Sequence, residues 1–201
     1  MRRRLLWAAA LLCGLGVWQS GEAAWIHAKA WLAYELIDRA WQRTLDGERS
    51  IVPWAGADFW PVAKLRAPSL ERDLVVLSNA SGRALAFGPG HLPESATPES
   101  RSHIVIAGHR DTHFSWLRDA RPGDELQLQA RDGEWRHYQI VGHFVITSDE
   151  VPAVTVEPKP LLTLVTCHAS SPLGPTTGWL IVRAAPSTSE YLEERVRRAE
   201  F

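Results

Sequence analysis

Two residues of this sequence have the type and setting for nucleophilic chemistry, Cys167 and His109, and each closes a hydrophobic run. Thr163-Leu-Val-Thr-Cys167 places a thiol where an apolar strand gives way to a loop. The strand would fix the backbone, and the loop would leave the sulfur accessible. The thiolate is the reactive form and a free thiol has a pKa of about 8.5, so a basic or cationic neighbour is required. Ile104-Val-Ile-Ala-Gly-His-Arg110 repeats the design with an imidazole: a strand, a glycine that permits a sharp turn, and His109 at the rim. Histidine can exchange a proton with a thiol near neutral pH. Taken singly, Cys167 reads equally as a buried structural cysteine and His109 as a surface histidine. Two such residues at two strand ends favour a nucleophile and its acid–base partner.

The remaining chemistry-bearing residues point elsewhere. His109 and His113 are four apart, but the stretch reads His-Arg-Asp-Thr-His, lacks the glutamate of the helical metalloprotease motif and follows a strand and a glycine. Asp111 and His113 are expected to order the loop after His109, and neither a metal nor a cofactor is expected. Of the two cysteines, Cys13 lies in an apolar run and reads as a small hydrophobe. A disulfide between it and Cys167 is not expected. A lone thiol outside the cytoplasm calls for an explanation, and reactivity is the usual one.

The N-terminus points to that compartment. Arg2, Arg3 and Arg4 precede the apolar run Leu5 to Trp18, the layout of a targeting segment. The run is shorter than the roughly 20 residues of a full span. Either the segment is kept as a signal anchor over residues 1–24, or it is cut near Gly21-Glu-Ala23; retention is the favoured expectation. Both outcomes place the rest of the chain outside the cytoplasm, because the arginines stay inside. Residues 25–60 are expected to form an amphipathic helix and a Pro/Trp-rich junction. Trp31, Ala33, Tyr34, Ile37, Trp41 and Leu45 recur at helical spacing, and Gly47 is a stop. The junction, Pro53 to Pro68, is expected to be extended rather than regular. A formal net charge of -1 gives no reason to expect a nucleic-acid partner.

From residue 61 to 186 the chain reads as short strands separated by turns. Leu74–Leu77, Ala84–Phe87, His103–Ala107, Glu125–Gln129, Trp135–Thr147 as one long strand or a bent pair, Leu161–Thr166 and Gly178–Arg183 are the expected strands, with a helical turn over Phe114–Arg118. Many short strands with few helices argue for a mainly β fold, a closed all-β barrel. Residues 187–201 are charged and helix-prone and read as a solvated tail.

Thr-Leu-Val-Thr-Cys167 at a strand end, with Ala107-Gly-His-Arg110 before it and an anchor-like N-terminus, resembles the sortase family. Gly82 to His91 and Ala107 to Phe114 look like the sortases of Gram-negative bacteria. The resemblance covers about Trp54 to Ala185. It implies an eight-stranded barrel and a cysteine transpeptidase that cleaves a C-terminal sorting signal of a secreted protein. Cys167 would form an acyl-thioester, His109 would serve as general acid and base, and the acyl group would pass to an amine-bearing acceptor at the cell surface. It also implies a single-pass protein of the inner membrane, held through residues 5–24, with its catalytic domain on the periplasmic side.

Two departures stand out. The family carries an arginine at the start of the last strand, where this chain aligns Trp179. Arg183 shares that face but lies roughly 13 Å further along the strand. Arg110 is the second candidate for an oxyanion or substrate arginine. The segment after the cysteine, His168 to Pro175, also departs, which bears on substrate choice. Two other readings compete with this one. A peptidoglycan transpeptidase of the Ser/Thr-His-Gly-Cys type does not match Val165-Thr-Cys167. A catalytically impaired sortase-like barrel that binds surface-protein tails draws its support from Trp179.

Overall fold

The computed structural model describes residues 2–147, 159–168 and 178–187. The chain divides into two compact units, Met1–Leu36 and Ile37–Phe201. Helix α1 runs over Arg2–Leu45, a single helix where an anchor and a separate amphipathic helix were expected. The helix passes through Gly14, Gly16 and Gly21, each costing about 1 kcal/mol relative to alanine. In the first unit Trp7, Trp18, Trp25 and Trp31 are exposed. Among the described residues no helix is long and apolar enough to cross a membrane.

In the second unit the last turns of α1 bury Ile37, Ala40, Trp41 and Thr44, one stripe at helical spacing. The expected stripe held Trp31 and Tyr34 as well, but these are 68% and 53% exposed. The helix ends beyond Leu45 at Gly47, whose φ of 98° belongs to the left-handed region.

The strands are β1 (Pro61–Ala67), β2 (Arg72–Leu77), β3 (Gly90–His91), β4 (His103–Ala107), β5 (Glu125–Ala130), β6 (Trp135–Ile146), β7 (Leu161–His168) and β8 (Gly178–Pro186). They close into a barrel in the order β1-β2-β3-β4-β7-β8-β6-β5, which bears out the mainly β, eight-stranded expectation. Two expectations fail locally. The second half of the presumed junction is β1, with Pro61 at the first position, where a missing N–H is tolerated. Ala84–Phe87 is not a strand: a helical turn, α2 (Gly82–Leu85), occupies the region. Ser81 caps it, its Oγ accepting from the Ala84 N–H at 3.2 Å. The expected tail lies outside the described residues, Ser187 apart.

Alternation divides the strands' side chains between two faces. Ile104, Ile106, Leu162, Leu164, Val182 and Ala184 join the principal core. Val105, Val165 and Ile181 form a second cluster on the opposite face of the same strands. Thr166 is buried with the core set, and its neighbour Cys167 therefore belongs to the second face. β4 and β7 are parallel neighbours, paired from His103–Leu161 to Ala107–Val165. Their C-terminal ends therefore emerge at the same rim of the barrel.

Candidate active site

At that rim the two strands stay joined one residue past their paired ends. The Gly108 N–H donates to the Val165 carbonyl at 3.0 Å. The Thr166 hydroxyl donates to the Gly108 carbonyl at 2.7 Å, a buried bond. Gly108 is thus clamped on both sides to β7, and the next residue on each strand is His109 and Cys167. Neighbouring strands lie about 4.8 Å apart, so the two side chains start from adjacent backbone positions. His109 is exposed and Cys167 half-buried.

Glycine at 108 is required by what lies beneath it. A Cβ there would stand 2.6 Å from the Phe114 ring. Phe114 is buried, meets Trp116 edge-on at 6.0 Å and donates its N–H to the His109 carbonyl at 3.0 Å. The loop from His109 to Phe114 is therefore closed on itself over an aromatic base.

The face that carries the thiol is apolar. Leu92 and Trp179 pack against Val105, Val165 and Ile181. Trp179 stands directly across from Cys167 in the β7–β8 ladder. Gly178 brings it there: a Cβ at 178 would lie 2.1 Å from the Ile146 carbonyl oxygen, so no larger residue allows this approach of β8 to β6. Arg183 shares the face but opposes Thr163, four residues down the strand from Trp179. Its guanidinium lies 5.5 Å from the Phe144 ring centroid. The Leu92 wall is fixed to β4, its N–H donating to the Val105 carbonyl at 2.9 Å. The Val105 N–H donates in turn to Ser95 Oγ at 3.0 Å.

Charge enters from the β4 loop. Arg110 Nε donates to Asp111 Oδ1 at 2.8 Å and Nη2 to Oδ2 at 3.1 Å, a two-point chelate. The hydrogen bond to Asp111 raises the Arg110 pKa, and the charges of Asp111 and Cys167 add to it against the effect of desolvation. The same bond holds the Asp111 carboxyl below its ordinary range, with help from the charges of Arg110, Arg118 and His109. These couplings place Cys167, His109 and Arg110 in one electrostatic neighbourhood.

His113 is a different kind of group. It is buried, and Thr112 Oγ1 lies 3.2 Å from its Nδ1. Burial lowers its pKa, and the charge of His109 lowers it further, while the Phe87 backbone opposes them. The unfolded chain protonates this ring near the ordinary value of about 6.5, the folded chain only at lower pH. Between those two values the unfolded state binds more protons, so stability rises with pH. His113 therefore favours the fold most above pH 6.5, and that contribution is lost as the pH falls through the folded value. The melting temperature should drop more steeply between pH 7 and pH 5 in the parent protein than in His113→Asn. Parallel curves would contradict this role.

The structure brings Cys167, His109 and Arg110 to one rim and leaves Arg183 further along β8. Two contributors have weak signals in the sequence. Thr166 clamps the turn; a hydroxyl facing the core of an apolar strand is the hint that it must find a partner. The Arg110–Asp111 chelate joins sequence neighbours, a pairing that carries no periodicity. Of the segment His168 to Pro175, expected to bear on substrate choice, His168 closes β7 and residues 169–175 lie outside the described residues.

A family model described as the sortase domain matches residues 65–187. The chain is 32% identical over 111 residues to sortase D of Bacillus subtilis, an alignment covering 55% of this chain and 56% of that protein. It thus spans little more than half the length of that relative. Sortase A from Corynebacterium diphtheriae is similar in structure, with a TM-score of 0.57 and 25% identity, covering 71% of this chain and 67% of the other. Sortase C-1 from Actinomyces oris has a TM-score of 0.55 and 27% identity, covering 63% and 74%. A Clostridium perfringens sortase C, seen with the C-terminal cell wall sorting motif, shares the fold with a TM-score of 0.57 at 19% identity, covering 80% and 90%.

Proposed function

Because this chain belongs to the sortase family, we propose that it is a membrane-tethered cysteine transpeptidase whose nucleophile is Cys167 and whose general acid and base is His109. The observation that carries the reading is the clamp at Gly108, which holds the ends of parallel strands β4 and β7 together where the two residues emerge. The sulfur of Cys167 attacks the scissile carbonyl of a sorting signal near the C-terminus of a secreted protein. The tetrahedral oxyanion collapses, the C–N bond breaks, and the leaving amine takes its proton from the His109 imidazolium. The acyl group remains on sulfur as a thioester. An amine of a cell-surface acceptor then attacks the thioester and gives a proton back to His109. The thiolate departs and an amide is formed.

The apolar surface of Val105, Val165, Ile181, Leu92 and Trp179 beside the thiol suits an extended peptide with apolar side chains. The motifs at Gly82–His91 and Ala107–Phe114 favour the Gram-negative class. The tether is the segment from residue 5 to 24, supported by the apolar run behind Arg2, Arg3 and Arg4. This places the catalytic domain on the periplasmic side of the inner membrane. The competing reading, an impaired barrel that binds surface-protein tails, rests on the indole across from Cys167.

One experiment tests both parts. Carbonate-washed membranes and the soluble fraction are incubated with a panel of sorting peptides and a soluble primary amine, and the amide product is followed by mass spectrometry. Product formed by the membrane fraction is the expected result. Product confined to the soluble fraction refutes the tether. Binding of peptide without product in either fraction favours the impaired barrel.

A further inference from the structure

A tetrahedral intermediate on Cys167 needs hydrogen-bond donors aimed at its oxyanion, and among the described residues the face that carries the thiol is apolar. Across the ladder stands Trp179, packed into the apolar cluster with Val105, Val165 and Ile181 and carrying no charge. Arg183 is four residues away along β8, its guanidinium over Phe144. At about 3.4 Å per residue this separation exceeds the reach of one hydrogen bond from a guanidinium already engaged with a ring.

On the β4 side the situation differs. Arg110 follows His109 directly, two residues past the clamped Gly108. Its Nε and Nη2 are both taken by Asp111, which fixes the plane and direction of the guanidinium. Its third nitrogen, Nη1, is buried, and no described residue accepts a hydrogen bond from it. A buried charged donor without an acceptor is costly, and native structures seldom keep one without a use. The two partners are also unequally hydrated: the Arg110 side chain is 24% exposed and that of Asp111 68%. Water therefore screens the carboxylate more than the guanidinium. The charge of Cys167 is among the causes that raise the Arg110 pKa, so the two groups are neighbours.

Resting on the roles proposed above for Cys167 and His109, we infer that Arg110 is a further catalytic residue, whose buried Nη1–H donates to the oxyanion formed when the Cys167 sulfur attacks a carbonyl. Asp111 occupies the other two nitrogens and leaves that donor free. The positive group of this site comes from the loop after β4, and the start of β8 contributes an apolar wall instead.

Two small probes test this on the full chain without knowledge of the natural peptide. p-Nitrophenyl acetate acylates the thiol through an oxyanion: the C–S bond forms, the carbonyl electrons move to oxygen and return as p-nitrophenolate leaves. Iodoacetamide alkylates the same sulfur by displacement of iodide and forms no oxyanion. Both rates are measured on the parent protein, Arg110→Ala and Arg183→Ala, with Cys167→Ala as the blank. Arg110→Ala should lose about 10²-fold in acylation, the scale of one oxyanion donor, and keep its alkylation rate within about threefold. Arg183→Ala should change neither by more than that. Acylation retained in Arg110→Ala overturns the inference. An equal loss in both reactions also overturns it, because the thiol itself would then be disturbed. If Arg110→Ala does not fold, Arg110→Met, which keeps the apolar stem, is read by the same criteria. Failure of the dyad is seen separately: the parent protein and the Cys167→Ala blank would then react alike with both probes.

Discussion

Cys167→Ala is expected to remove peptide cleavage and amine transfer together, by on the order of 10⁶-fold, the scale seen when a nucleophile that works as a unit with its base is deleted. The expectation follows from position. Cys167 is the next-to-last residue of a mostly buried strand, half-buried on the apolar face opposite the core, with its neighbour Thr166 holding the turn that carries His109. Cys13 is exposed on α1 in the other compact unit, and Cys13→Ala should leave both reactions unchanged. Both variants should keep the melting temperature of the parent, because truncating a half-buried thiol removes little packing. Activity retained in Cys167→Ala at more than about one part in 10³ would refute the assignment, since the residual catalysis left by binding alone is small beside it.

His109→Ala is the second large effect, a loss of about 10²- to 10⁴-fold in kcat/KM, the range for a general acid–base. The alternatives are His113 and His168. His113 is buried in the loop, its neutral form favoured by that burial, so it is poorly placed to cycle a proton with substrate. His168 lies one residue past the thiol at the end of β7 and opposes Gly178. Replacing either by alanine should cost less than about tenfold, by loosening the loop or the strand end. Added imidazole should restore part of the activity of His109→Ala, because the exposed site can admit it. A loss at His113 equal to that at His109, or no loss at His109, would move the acid–base role elsewhere.

The candidate pair was legible in the sequence because each member announces itself locally. An apolar run that ends in Cys, and another that ends in Gly-His, are signals contained within a few residues. What joins them was not legible. His109 and Cys167 are brought together by the parallel pairing of β4 with β7, a contact across more than fifty residues that no local pattern encodes. The barrel followed from the spacing of short strands and turns, yet its two misreadings have the same origin. Ala84–Phe87 is too short an apolar run for periodicity to separate strand from helix, and the capping signal at Ser81 was the better guide. Pro61 suggested a junction, but proline at the first position of a strand gives up no ladder bond. On α1, Trp31 and Tyr34 fit the helical spacing and are nevertheless exposed; the buried stripe is set by Ile37, Ala40, Trp41 and Thr44. Periodicity finds a helix but cannot say where along it packing begins. The chelated Arg110 was visible as a residue and not as a geometry, because Asp111 is its immediate neighbour and the buried Nη1 exists only in the fold.

The most direct test of the acyl-enzyme is to catch it. The protein is incubated with an intact sorting peptide that it cleaves, no acceptor amine is added, and the reaction is quenched in acid. Intact mass should rise by the acyl fragment, and peptide mapping should place the adduct on Cys167. Hydroxylamine should remove it, as expected of a thioester. An adduct on any other residue, or cleavage that proceeds with no adduct at all, would contradict the account.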